Sequence, residues 1–300
     1  REAANVQPFA NSLFTMTLTG AQVRQLLEEQ WQPAGSSRPF LKLGISEGLE
    51  YTYDASLAAG ERIGTITLNG ETVTDDQQIR IVTNSFLSTG GDNFFTFAEG
   101  TNRADSGRID LQAFVDYFAE FSPVTASAAD RSIGVSPSIA GSTLTPGDTV
   151  ELQLSSLLYS TGGDRDATVT VSIGGEVLAE AAIDATIVDG TDEQGRATVS
   201  FTVPEGVEGA TDVVIAVADN GTEVSIPVTI EAAEPLPAIE VTKQPKLVGA
   251  AVVGKTLRVD DGRYSVRGVD VEYQWLRNGE PIEGATDDTY RVTSADRLAK

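Results

Sequence analysis

The 300-residue chain contains neither cysteine nor histidine. No disulfide and no Cys/His zinc site can staple a small fold, so every domain must be held by buried apolar surface. At roughly 100 to 150 residues per domain, the length predicts two or three domains, each able to bury a core. With 40% hydrophobic and 22% charged residues, the composition is that of folded, soluble domains. The missing residue types also remove Ser-His-Asp triads and cysteine nucleophiles, which leaves carboxylates, Lys, Tyr and hydroxyls for any chemistry.

Lys and Arg total 21 against 44 Asp and Glu, a formal charge of −23. Such a chain repels nucleic-acid backbones and anionic membranes, so nucleic acid is not expected as a partner. No stretch approaches the roughly 18 apolar residues of a membrane span, so no membrane insertion is expected. Arg1 follows neither a Met nor a signal segment, and the chain is read as an internal fragment.

The charge is uneven. Residues 1–126 carry 8 basic and 16 acidic groups, 127–235 carry 3 and 18, and 236–300 carry 10 and 10. Two stretches, the small and polar Ser122-Pro123-Val124-Thr125-Ala126-Ser127-Ala128-Ala129 and the proline-containing Ala232-Ala233-Glu234-Pro235-Leu236-Pro237, sit at these shifts and read as linkers. Three domains are expected, at 1–126, 127–235 and 236–300.

The first mixes helix and strand. Thr19 with Gln22 forms a capping-box pair, and Val23, Leu26, Leu27 and Trp31 follow at helical spacing, predicting a helix over 20–31. Asp110 is placed to cap a second helix with the stripe Leu111, Phe114, Val115, Phe118 and Phe121; both helices are expected to be half-buried. Strands are predicted at 13–18, 49–53, 63–68 and 79–83, with Asn69-Gly70 as a type I′ hairpin turn. The second domain shows only strand patterns, at 149–154, 168–173, 198–203 and 213–217, with a further turn at Asn220-Gly221, and predicts an antiparallel β-sandwich.

Near the end of the second strand group of the first domain lies Asn84-Ser85-Phe86-Leu87-Ser88-Thr89-Gly90-Gly91-Asp92-Asn93-Phe94. A strand delivers a Phe at its end, Gly90 and Gly91 let the backbone turn tightly beside a ligand, and Asp92 faces the same space. This resembles the Ser-Phe-Leu-x-x-Gly-Gly-Asp-Gly signature of the C-terminal, substrate-specificity domain of the 5′-nucleotidase family. Pro8-Phe9-Ala10-Asn11 is similar to that family's Pro-Phe-x-Asn segment, Leu18-Thr19-Gly20 to its helix start, and Phe40-Leu41-Lys42-Leu43 with Tyr53-Asp54 to its Phe-Leu-Gln-Val and Tyr-Asp strand. Asn93 replaces the usual Gly, a position where Asn tolerates a left-handed backbone.

The resemblance implies an α+β, layered substrate-binding domain in which Phe40 and Phe86 clamp a nucleobase and Asp92 accepts hydrogen bonds from the ribose. It implies that a separate N-terminal metallophosphoesterase domain supplies two divalent metal ions and the hydrolytic chemistry. That domain needs His ligands, so it is not in this chain. No catalytic or metal-ligating residue is assigned here, the chain alone is expected to be inactive, and its partners are a nucleoside or nucleotide and the N-terminal domain.

Residues 273–296, with Trp275 in Tyr273-Gln274-Trp275 and the Ala295-Asp296 corner, resemble the immunoglobulin-like repeats of bacterial surface proteins. The expected architecture is therefore multidomain: the α+β domain followed by two all-β immunoglobulin-like sandwiches, the last one truncated. The modules imply a secreted or cell-wall-associated protein of a Gram-positive bacterium. Gly162-Gly163-Asp164 and the acidic run from Asp189 to Gly195 read as loops, the latter lacking the spacing of an EF-hand. Two other functions stay open: a surface interaction protein whose nucleotide module is degenerate, and an extracellular nuclease that carries the same domain.

Overall fold

The computed structural model describes residues 2–158, 167–188, 194–232 and 238–298. Two of the loop readings, Gly162-Gly163-Asp164 and residues 189–193, lie outside the described residues, as do residues 233–237 of the second linker. The chain divides into two compact units, Arg1–Ala233 and Glu234–Lys300.

A short helix, α1 (Glu2–Val6), leads into strand β1 (Ser12–Thr19) and helix α2 (Gly20–Glu28). The capping box forms as expected: Thr19 Oγ1 accepts from the Gln22 amide at 3.1 Å, and Gln22 Oε1 accepts from the Thr19 amide at 2.9 Å. Val23, Leu26 and Leu27 are buried. The helix stops three residues short of Trp31. Fully buried Gln30 donates from Nε2 to the Leu27 carbonyl (2.9 Å) while its Oε1 accepts from the Leu43 amide (2.8 Å), and Trp31 leaves to bridge Phe40.

Gln30 also meets the hydroxyl of Tyr51, which is 2% exposed. Burial pushes the Tyr51 phenol up to about 12, against the opposing pull of its bond to Gln30. An unfolded tyrosine ionises near pH 10, so between the two values the unfolded chain holds fewer protons than the folded one. Stability is fully present below pH 10 and falls as pH rises toward 12, by about 2 to 3 kcal/mol. Urea titrations of wild type and Tyr51→Phe across pH 9 to 12 check this: the variant should lose that part of the alkaline slope.

The next strands are β2 (Leu49–Tyr53), β3 (Ile63–Leu68) and β4 (Glu71–Thr72), then β5 (Gln78–Asn84) runs into one helical turn, α3 (Ser85–Ser88). Asn69 and Gly70 both have positive φ (53° and 82°), as a type I′ turn requires. Strand β6 (Thr101–Ile109) and helix α4 (Asp110–Phe121) complete this part. Strand β1 is the centre of an antiparallel sheet ordered β5-β1-β6.

Two expectations are corrected here. Asp110 does not cap α4 but sits within its first turn, where its carboxylate accepts from the amides of Asn11 (3.2 Å) and Leu111 (2.6 Å). The stripe of α4 is open to solvent, with Val115 42%, Phe118 39% and Phe121 56% exposed, its rings packing on one another at 4.8 Å for Phe114 with Phe118 and 5.0 Å for Tyr117 with Phe121.

The remaining strands of the first unit are β7 (Ser132–Ser136), β8 (Thr143–Leu144), β9 (Thr149–Ser155), β10 (Thr168–Ile173), β11 (Glu176–Ala182), β12 (Ala197–Thr202), β13 (Gly209–Val217) and β14 (Thr222–Ile230). They form a five-stranded sheet, β11-β10-β13-β14-β8, and join β2–β4 in a six-stranded sheet, β12-β9-β7-β2-β3-β4. One apolar cluster gathers inward side chains of both, among them Val169, Val171, Ile215 and Ile226 from the first and Ile133, Leu152, Leu154 and Phe201 from the second. The pairing is not wholly antiparallel: β14 with β8 and β2 with β7 run parallel. The β13–β14 connection spans four residues, with Gly221 at φ 77°, so Asn220-Gly221 closes a longer loop than the two-residue turn expected. The β2–β7 pair aligns Tyr51 with Ser132 and Tyr53 with Gly134, carrying the sheet across the linker after Phe121. Lys42 and Asp130, 2.7 Å apart, reinforce the same junction.

In the second unit, Lys246–Val248, Thr256–Asp260 and Thr289–Arg291 pair in one small sheet. Trp275 stacks on Tyr290 at 5.4 Å and donates from its indole to the Asp287 carbonyl. Asp296 accepts from the Thr293 amide and hydroxyl, Arg277 and Tyr290, and these bonds hold its carboxyl well below the usual range. No helix among the described residues is long and apolar enough to cross a membrane.

Candidate functional site

A cleft of about 720 Å³ opens beside the end of β5, lined by Phe9, Asn11, Arg38, Asn84, Phe86, Leu87 and Asp92. Asn84 ends the strand with extended backbone and accepts from the Leu87 amide at 2.8 Å, which starts α3 and presents Phe86 half-exposed, at 49%. The Phe86 ring lies directly on Gly91: a Cβ there would meet ring atoms and the Phe86 carbonyl at 2.7 Å, so no larger residue fits beneath it. Gly90 turns the chain with φ 90°, followed by Asp92 and Asn93, both left-handed at φ 52° and 64°. Buried Phe94 and Phe97 root the loop in the core. From β6, Arg103 braces it from behind, donating to the carbonyls of Phe97 (2.5 Å) and Ser88 (2.6 Å).

Phe9 stands across the cleft at 80% exposure. Its segment is fastened by Asn11, whose backbone exchanges hydrogen bonds with Asp110 and whose side-chain oxygen accepts from Ser85 Oγ at 3.2 Å. Two charges line the space, Arg38 and Asp92, 3.6 Å apart and both well solvated. The arrangement offers two apolar ring faces, an acceptor-only carboxylate and one guanidinium, which suits a flat ring bearing hydroxyls. Among the described residues, no group of three or more His, Cys, Asp or Glu side chains is placed to hold a metal ion.

Of the residues singled out from the sequence, Phe86 and Asp92 line the cleft, and Gly90 and Gly91 shape the turn between them without lining it. Phe40 is elsewhere. Its ring packs edge-on against Trp31 at 5.0 Å, in a group that includes Tyr53 and Arg62, and it is not part of the cleft wall. The other phenylalanine lining the cleft is Phe9. The available signal was an aromatic residue within Gln7-Pro8-Phe9-Ala10-Asn11, a stretch with no apolar periodicity that would bury it. Asn11 and Asn84 lay within the quoted motifs without an assigned role, and Arg38 carried no signal.

Residues 1–99 match the family model described as the C-terminal domain of 5′-nucleotidase. Among curated proteins, the chain is 31% identical over 123 residues to the trifunctional nucleotide phosphoesterase protein YfkN of Bacillus subtilis, covering 38% of this chain and 8% of that protein. It is 32% identical over 140 residues to a 5′-nucleotidase-related protein of Glossina morsitans morsitans, covering 43% and 25%, and 30% identical over 121 residues to the cell wall protein Lmo0130 of Listeria monocytogenes, covering 39% and 15%. The chain spans a quarter or less of the length of these relatives. The opening part of the chain is thus a 5′-nucleotidase C-terminal domain, related to nucleotide phosphoesterases, as the motifs around Phe9, Phe40 and Phe86 implied.

Proposed function

We propose that the cleft binds the nucleoside part of a nucleotide, with the base between Phe9 and Phe86 and the ribose hydroxyls donating to Asp92. The observation that carries this reading is the convergence of two exposed phenylalanines and an exposed carboxylate on one cleft in the part of the chain that matches the family. An aromatic stack is uncharged, tolerates different bases and contributes about 1 to 3 kcal/mol per base. An ionised carboxylate accepts from both vicinal hydroxyls and repels a phosphate, so the phosphate is turned away from it.

In the whole protein, a metallophosphoesterase domain with two divalent metal ions would hydrolyse the phosphate ester, while this chain selects base and sugar and is itself inactive. The β-rich parts that follow serve as immunoglobulin-like spacers of a secreted or cell-wall-associated, Gram-positive protein, a reading supported by the likeness to a cell wall protein of Listeria monocytogenes. The net charge of −23 supports nucleotides over nucleic acid as the ligand.

Ligand-observed NMR of adenosine and AMP against the chain tests this. Phe86→Ala and Phe9→Ala should each weaken binding about tenfold, and Phe40→Ala should leave it unchanged. A loss with Phe40→Ala and not with Phe9→Ala would return the second ring to Phe40. Phosphate release from AMP by the purified chain would refute the division of labour.

A further inference from the structure

Asp92 and Asn93 are consecutive non-glycine residues in left-handed conformation, a backbone that persists only where its surroundings hold it. What holds it is a residue 60 positions away. Gln32 donates from Nε2 to the Asp92 carbonyl and to the Glu29 carbonyl, both at 3.0 Å, and its Oε1 accepts from Asn93 Nδ2 at 2.7 Å. Both amide protons and the amide oxygen are thereby engaged. The Gln32 backbone amide in turn donates to the Pro39 carbonyl at 2.9 Å, closing the loop that brings Arg38 to the Asp92 carboxylate. Both halves of the charged pair in the cleft therefore lead back to one residue, Gln32, four positions beyond the end of α2.

We infer that Gln32 is the positioning residue that aims the Asp92 carboxylate into the cleft, and so sets a preference for ribonucleosides over 2′-deoxyribonucleosides. The inference rests on the nucleoside reading above. Asp92 is 44% exposed at its side chain, so packing does not aim it; the clamped backbone does. The aromatic wall is set separately, Phe86 by the Asn84 cap and Gly91, and Phe9 by Asn11 and Asp110. Releasing the clamp should therefore remove sugar discrimination and leave base stacking, a separation that a general loss of structure would not produce.

The test is titration calorimetry of the intact chain with adenosine and 2′-deoxyadenosine, in wild type, Gln32→Met and Asn93→Ala. Wild type should favour adenosine about tenfold, as expected for a hydrogen bond to a charged acceptor. Gln32→Met should bring the two ligands within about twofold of each other, weakening 2′-deoxyadenosine, which keeps its 3′-hydroxyl, less than adenosine, and Asn93→Ala, which removes one bond of the clamp, should fall between. An undiminished preference in Gln32→Met, or an equal loss of both ligands in a folded variant, overturns the inference and leaves the nucleoside reading in place. Should Gln32→Met not fold, Asn93→Ala decides by the same criterion. A wild type that binds neither ligand sinks the nucleoside reading and this inference with it.

Discussion

Gly20→Ala is expected to destabilise the first unit by more than about 3 kcal/mol, lowering its melting temperature by roughly 6 to 12 °C. A Cβ on Gly20 would lie 2.0 Å from the Thr74 carbonyl oxygen and 2.8 Å from a Val73 methyl. The obstacle is backbone, which cannot swing aside as a side-chain tip can. It is also sewn in place, since the Gly20 and Ala21 amides donate to the carbonyls of Gln77 (2.9 Å) and Asp75 (3.0 Å). Relief would require α2 to lift from its seat and expose Val23, Leu26 and Leu27. Thermal unfolding followed by circular dichroism checks this; a shift under about 2 °C would mean that the start of α2 yields freely.

Asp54→Ala should cost about 2 to 3 kcal/mol, because it removes three hydrogen bonds to a buried carboxylate at the joint sheet. The Asp54 carboxylate, 2% exposed, accepts from the Ser56 amide (3.0 Å) and hydroxyl (2.6 Å) with one oxygen and from the Ser138 amide (3.1 Å) with the other. Ser138 follows β7, so this carboxylate fastens the end of β2 to the sandwich. Asp54→Asn keeps one acceptor oxygen and should cost about half as much. The midpoints of urea unfolding give the comparison, and equal midpoints for wild type and Asp54→Ala would show that the strand pairing needs no such fastening.

Much of the fold was legible because its signals are local. The capping box of Thr19 and Gln22, the Asn69-Gly70 turn and the alternating strands at 168–173 and 213–217 are set by residues within a few positions of one another. Strand β6 escaped notice for a physical reason: it is exposed along its whole length, so nothing imposes alternation on Thr101–Ile109, and it exists by hydrogen bonding to β1. Helix α2 was read too long because the competition for its last carbonyls comes from the side chain of Gln30, a choice that periodicity does not register.

The candidate site divides the same way. The sequence by itself determined the motif and its conformational needs: glycines at 90 and 91, residues tolerant of a left-handed backbone at 92 and 93, and a phenylalanine at 86. Which rings face the cleft, and what steadies the carboxylate, only the tertiary structure decided. Phe9 and Phe40 are both phenylalanines in family-like motifs, yet one reaches solvent and the other packs on Trp31, because Trp31 is brought to Phe40 by the turn after α2. The union of β2 with β7 and the clamp from Gln32 to Asp92 were likewise hidden, each joining residues 60 or more positions apart. A local pattern says what a segment can become; its partner is fixed only when the whole chain has settled which surfaces are buried.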